Sequence, residues 1–226
     1  MRHGNEKITS VYLLILVFTV AGALAQKGAK FGLRIGVSQT SYHGSDLDTI
    51  LSRVNESNET INGKIAWRNS QMAGIYVNND LAKHFWLKHE FYWTNKGAVV
   101  NYEDGSFLER NRMYLDLYPV LFSFRAEGFQ LFAGPYIGVM FLKKDVFTDQ
   151  AGVKEIDKDL LYDISEDNFL DFGGVSGIEY QFNFGLNLGL RYFMGFAKDD
   201  TDYFVNLHNQ GFFATVGFTF GAGDYR

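Results

Sequence analysis

The stretch from Met113 to Phe141, MYLDLYPVLFSFRAEGFQLFAGPYIGVMF, decides how the rest of the chain is read. From Leu115 to Leu121 and from Phe129 to Phe141 the odd positions are apolar or proline throughout: Leu115, Leu117, Pro119, Leu121, Phe129, Leu131, Ala133, Pro135, Ile137, Val139 and Phe141. The even positions mix Tyr114, Asp116, Tyr118, Gln130, Gly134, Tyr136 and Gly138. Alternation with period two places one set of side chains on each face of a strand. Arg125-Ala126-Glu127-Gly128 separates the two runs with turn residues, so the unit reads as a β-hairpin. Keeping the odd positions of both arms on one side requires a three-residue loop, Ala126-Glu127-Gly128, with Gly128 left-handed. That register sets Pro119 opposite Pro135 and Tyr118 opposite Tyr136, and a bulge or weak pairing is expected there because proline has no N–H to donate. Each arm holds about a dozen residues, about the length that crosses a bilayer at a tilt.

The same pattern recurs along the chain. Strand one, Phe31 to Tyr42, sets Phe31, Leu33, Ile35 and Val37 against Gly32, Arg34, Gly36 and Ser38. Strand two, Trp67 to Asn78, and strand three, Phe85 to Lys96, flank a short turn. Strand three sets Phe85, Leu87, Phe91 and Trp93 against Lys88, Glu90, Tyr92 and Thr94. After the central hairpin, strand six runs from Phe169 to Phe182, strand seven from Phe184 to Phe196 and strand eight from Gln210 to Phe220. Polar stretches at 43–66, 97–112, 142–168 and 197–209 read as long loops. In the first, Leu47, Ile50, Leu51 and Val54 behind Ser45 and Asp46 have the spacing of a short capped helix, as do Ile156, Leu160, Leu161 and Ile164 in the third. Two matches to the glycosylation sequon occur at Asn55 and Asn58, and in a bacterial protein they would be accidental.

Length and composition narrow the class. The 226 residues contain 24 glycines and only two prolines, and aromatics make up 17%, which suits one β domain with glycine kinks and aromatic girdles. The absence of cysteine excludes a disulfide scaffold, a lipoprotein anchor and a thiolate metal site. A net charge of -5 argues against nucleic acid. Arg2, His3 and Lys7, an apolar run from Val11 to Val20 and Ala23-Leu24-Ala25 have the three parts of a signal peptide. Residues 1–25 are expected to be that peptide and residues 26–226 the barrel domain.

Long loops and tight turns that alternate behind a secreted N-terminus predict an all-β fold: a closed, antiparallel, up-and-down transmembrane β-barrel of about eight strands. It would have short periplasmic turns and long extracellular loops in the bacterial outer membrane. A secreted, lipocalin-like carrier has its apolar face inward instead. The face opposite the apolar one decides between them. It mixes glycines with Tyr76, Tyr92, Tyr114, Tyr118, Phe132, Tyr136, Phe193 and Phe213, a combination suited to the filled interior of a small barrel. It also carries Arg34, Lys88, Glu90, Asp116, Asp171, Glu179 and Arg191, expected as a structural lumen charge cluster in which removal of Arg191 is compensated at Asp116 if the two are partners.

FGLRIGVSQT, GIYVNNDLAKHFWLKHEFYWTNKGA, YLDLYPVLF, LFAGPYIGV, DFGGVSGIEYQF and GLNLGLRYFMGF together resemble the PorT-like outer-membrane β-barrel proteins over nearly all of the chain except the loops. The resemblance implies the barrel, and through the founding member a link to protein secretion. Six residues, Gly221 to Arg226, follow Phe220, where such barrels often stop at the aromatic.

The expected function is therefore a non-enzymatic barrel with a filled lumen. It would serve as a structural, adhesion or secretion/assembly component acting through its loops or periplasmic rim. A rim enzyme acting on lipid or peptide is the alternative: Ser41, His43 and Asp46 lie near the top of strand one and His208 near the top of strand eight, without a catalytic motif around them. The acidic stretch from Asp145 to Asp167 lacks calcium-loop spacing, and His84 and His89 lack the pattern of a metal site. No cofactor, metal or catalytic residue is assigned. The expected partners are outer-membrane lipid and other envelope or secretion proteins, with the barrel a monomer.

Overall fold

The structure, a computed structural model, describes residues 29–54, 57–160, 169–199 and 206–221; the signal peptide read at 1–25 and most of the tail after Phe220 lie outside them. In chain order the elements are β1 (Lys30–His43), α1 (Leu47–Ile50), β2 (Ser52–Val54), β3 (Thr60–Ala82), β4 (Phe85–Tyr102), β5 (Phe107–Ala126), β6 (Phe129–Thr148), β7 (Lys154–Leu160), β8 (Leu170–Gln181), β9 (Leu186–Gly195) and β10 (His208–Thr219). Every strand pairing is antiparallel. The order β1-β10-β9-β8-β6-β5-β4-β3 closes because β1 also pairs with β3, which makes a ring of eight strands with β2 and β7 outside it. Among the described residues no helix is long and apolar enough to cross a membrane. With no sheet edge left open in the ring, every strand of the wall has a neighbour on both sides.

The alternation sorts the side chains as the sequence implies. Leu33, Ile35, Val37, Ile137, Ile178, Leu188, Leu190, Phe212 and Val216 are exposed on the outside. The rings of Tyr76, Tyr92, Tyr114, Tyr118, Phe132, Tyr136, Phe193 and Phe213 are buried inside with the charges. This is the reverse of a lipocalin-type carrier. Glycine makes room for the rings: a Cβ on Gly177 would meet Phe132 at 2.5 Å and one on Gly173 would meet Tyr136 at 2.8 Å.

The central hairpin departs from its expected register in one half. Leu117 pairs with Ile137 and Leu115 with Val139, as expected, but nearer the turn Phe124 pairs with Leu131 and Arg125 with Gln130. The loop there has two residues, not three: Glu127 (φ 50) and Gly128 (φ 89) are both left-handed, as a type I′ turn requires. A bulge in β5 reconciles the two halves. Lys88 pairs with Leu121 and Glu90 with Tyr118, so Pro119 and Val120 together oppose His89, which donates from Nδ1 to the Pro119 carbonyl. The extra residue reverses the inside–outside order below it. Leu121, expected outside, is fully buried, and Phe122 and Phe124 are exposed instead.

Over their described residues two of the expected long loops, 97–112 and 142–168, are largely strand, and about half of 43–66 is as well. β3 starts at Thr60, β4 continues to Tyr102, β5 starts at Phe107 and β6 continues to Thr148. Pairing of β1 with β3 stops at Thr40 and Arg68, and pairing of β6 with β8 stops at Val139 and Leu170. Past those points β3, β4, β5 and β6 rise out of the ring as an open sheet, edged by β2 on β3 and β7 on β6. The helix expected around Ile156 and Leu160 is corrected to strand β7, because the free edge of β6 from Leu142 to Thr148 takes it up; Leu161 and Ile164 lie outside the described residues. The first expected helix is reduced to the single turn α1, without a side-chain cap from Asp46, and Val54 belongs to β2.

Candidate functional site

All seven expected lumen residues point into the ring and are buried, the most exposed being Arg191 at 3%. They divide into two clusters. In the first, Arg34 donates to Glu90 at 2.6 Å and also bonds Glu179, Arg191 donates to the other Glu90 oxygen at 2.7 Å, and Lys88 donates to Glu179 at 2.9 Å. Three cations share two carboxylates there, and the surplus charge lies against ring faces. Arg34 is 4.5 Å from the Tyr76 centroid, and Lys88 and Arg191 are each 5.0 Å from Phe132.

In the second cluster the balance is reversed. Lys96 donates to Asp116 at 3.0 Å and to Asp171 at 2.9 Å, Thr94 donates to Asp116 at 2.7 Å and the Tyr136 hydroxyl to Asp171 at 3.1 Å. One ammonium serves two carboxylates. Between the clusters lies an aromatic layer in which successive ring centroids, Tyr92–Tyr118–Tyr136–Phe193–Phe213, are 5.6, 5.7, 6.0 and 5.2 Å apart. Lys96 continues the inward parity of Lys88, Glu90, Tyr92 and Thr94 on β4, and that parity is the signal by which the sequence could have singled it out. Arg191 and Asp116 are not partners: Arg191 bonds Glu90, and Asp116 is taken by Lys96 and Thr94.

Both mouths are furnished with further cations. At the turn end the Trp86 ring lies between Lys30 Nζ at 5.3 Å and Arg125 at 4.5 Å. At the loop end Arg112 binds Asp145 and reaches Asp199 at 3.5 Å, and Arg110 reaches Asp145 at 3.5 Å. In the sequence Arg110, Arg112 and Asp145 fall in stretches that read as loops, because charge there looks like solvated surface. Here the charges are neutralised in pairs, so the strands carry them inward.

The polar rim residues do not assemble a nucleophile and base. His43 and His208 are cross-strand partners with centroids 5.2 Å apart, but His43 Nε2 donates to the Gly195 carbonyl at 3.0 Å and His208 Nδ1 to the Ala197 carbonyl at 2.9 Å. Ser41 is buried at 3% exposure. Asp46 accepts from the Asn206 N–H at 2.8 Å and from the Ser45 hydroxyl at 2.9 Å, and these two donors hold its carboxyl below the usual range. Asp104, in the tip between β4 and β5, accepts the Ser106 hydroxyl at 2.6 Å and its N–H at 3.0 Å beside Arg53, and is drawn down to about 2. His84 donates from Nδ1 to the Arg125 carbonyl at 3.1 Å. These arrangements hold loops and strand ends in place.

No curated protein matches the chain. Among solved structures, the chain is similar to Ail, the attachment invasion locus protein of Yersinia pestis (12% identity, 86% of this chain and 100% of that one, TM-score 0.44), to Neisserial surface protein A (10%, 86% and 100%, TM-score 0.47) and to OprG of Pseudomonas aeruginosa (13%, 86% and 97%, TM-score 0.35). The family model described as outer membrane protein beta-barrel domain matches residues 24–198. The chain belongs to that family, and its place is the bacterial outer membrane.

Proposed function

We propose that this barrel is a closed, non-enzymatic scaffold that holds a β-sheet above the outer membrane for contact with other envelope components. The observation that carries the reading is the filled lumen. Two ion-pair clusters and an aromatic layer occupy the interior of an eight-stranded wall, which has space for side chains only. A solute would have to break several buried ion pairs to pass, so transport is left to other proteins. The chain invests instead in the sheet beyond the ring, where β3 to β6 run on together and recruit β2 and β7 at their edges. Such a sheet suits a structural, adhesion or secretion/assembly role, and the PorT-like resemblance of the strand motifs favours the last of these. The partners are then proteins of the envelope or of a secretion system, met at the extracellular sheet or the periplasmic rim.

Three measurements test this. In planar bilayers the purified protein should give no steady, large single-channel currents, and such currents would end the closed-scaffold reading. Crosslinking in intact membranes should trap envelope proteins on the wild-type chain, and removal of the tip 103–106 or of 149–160 should abolish one set of adducts. Turnover of a lipid or peptide that disappears in His43→Ala/His208→Ala with the barrel intact would replace the scaffold by a rim enzyme.

A further inference from the structure

The outer wall is apolar at most outward positions; single polar groups stand at His89, Asn95, Ser176 and Gln210, and the one cluster of them among the described residues is a compact patch on β1 and β3. Outward positions on β1 read Leu33, Ile35, Val37 and Gln39, and on β3 they read Trp67, Asn69, Gln71 and Ala73. The register pairs Val37 with Gln71 and Gln39 with Asn69, so three exposed amide side chains adjoin one another. Among the described residues none of the three has a hydrogen-bond partner within the chain. The outward amides elsewhere do: Asn95 accepts from Arg68 at 3.1 Å, and Gln210 accepts from the Tyr192 hydroxyl at 3.0 Å and donates to the Tyr42 carbonyl at 3.0 Å; Ser176 on β8 is a single exposed hydroxyl three strands away from Gln39.

Depth makes the patch unusual. Phe31 stacks on Phe220 at 5.9 Å, in a belt of rings at the periplasmic end that includes Phe85–Phe124 and Phe129–Tyr180. Val37 stands six residues further along β1. At about 3.3 Å per residue and a tilt of about 45° it is roughly 14 Å above that belt, and the apolar band is about 25 Å tall. Gln71 is thus near mid-depth, with Gln39 and Asn69 in the outer half of the band below Trp67. Acyl chains have no donor or acceptor to offer an amide there.

We infer that the Gln39–Asn69–Gln71 patch is a lateral interface inside the outer membrane, occupied by a second copy of this chain related by a two-fold axis normal to the membrane. Every copy is inserted in the same orientation, so a closed pair admits only that axis. Such an axis preserves depth, and a patch at one depth therefore meets itself. Amides suit self-contact because each side chain is both donor and acceptor, whereas a patch of one charge would repel its image. The apolar Ile35, Val37 and Ala73 beside the amides supply close packing, which drives association where lipid gives no hydrophobic gain. This places a dimer where the sequence alone suggests a monomer.

The chain has no cysteine, so single substitutions report contacts without background. Gln71→Cys in native outer membranes, treated with a membrane-permeant oxidant, should give a disulfide-linked band at twice the chain mass. Ile137→Cys, exposed across the ring on β6, should not. As a second measurement, Gln39→Leu/Asn69→Leu/Gln71→Leu should keep the compact gel form of a folded barrel. In lipid vesicles it should lose most of the energy transfer between copies labelled through Ala151→Cys. Absence of the Gln71 crosslink, equal crosslinking at residues 71 and 137, an adduct of another mass, or undiminished energy transfer in the triple variant would each overturn the dimer.

Discussion

Glu90 holds two guanidinium groups at once, Arg34 through one oxygen and Arg191 through the other, with all three side chains out of water. An ion pair so placed is weak evidence of net stability, since desolvation offsets attraction, but loss of one member strands the others at a cost of about 3–5 kcal/mol. Arg191→Leu should therefore destabilise the barrel by about that much, read as thermal loss of the compact gel form. Adding Glu90→Gln should restore part of the loss, whereas adding Asp116→Asn should restore none, because Asp116 answers to Lys96. Equal rescue by both would contradict the two-cluster arrangement. Outside the membrane, Asp104 gives a pH signature. Its folded value of about 2 lies below that of a free carboxyl, so what it contributes is present above about pH 4 and is lost as pH falls through 2. Limited proteolysis of the 103–106 tip should accelerate across that window in the wild type and show no such step in Asp104→Asn.

Among the elements, the central hairpin contains both the clearest and the most misleading signals. Its alternation identifies two strands at once, yet Leu121 and Phe122 are both apolar, so nothing in the residues themselves says that the order reverses between them. The reversal is imposed by Pro119, which cannot donate to a neighbour, and by His89, which takes the exposed carbonyl. The turn has a similar tension, since Glu127 is left-handed at φ 50 where glycine or asparagine is at ease. Glu127→Asn should raise stability by up to about 1 kcal/mol in urea titrations of the reconstituted barrel. A clear loss would show that the side chain matters more than the backbone. β7 teaches a related lesson: Ile156 and Leu160, four apart, satisfy a helix and a strand equally well, and the open edge of β6 settles the choice.

The whole molecule is a barrel turned inside out relative to a soluble one. Arginine in place of Ile137 or Leu188, both exposed on the wall, should cost about 2–4 kcal/mol in folding measurements in lipid, whereas arginine at the exposed loop residue Ala151 should cost almost nothing. Equal tolerance at both kinds of site would count against a lipid-facing wall. By itself the sequence determined the eight strands of the ring, roughly where they turn, the sidedness of most of them and the mixed character of the interior. Those properties follow from period-two alternation and from glycines beside large rings, which are local. Only the tertiary structure decided which charges meet, because partners such as Arg34 and Glu179 are 145 positions apart and come together through ring closure. It also decided that polar stretches such as 107–112 are strand, since Arg110 and Arg112 read as solvated until Asp145 and Asp199 are placed beside them. The bulge at Pro119 and the three amides on the lipid face belong to the same class: their meaning lies in what stands opposite, and that is known only once the ring is closed.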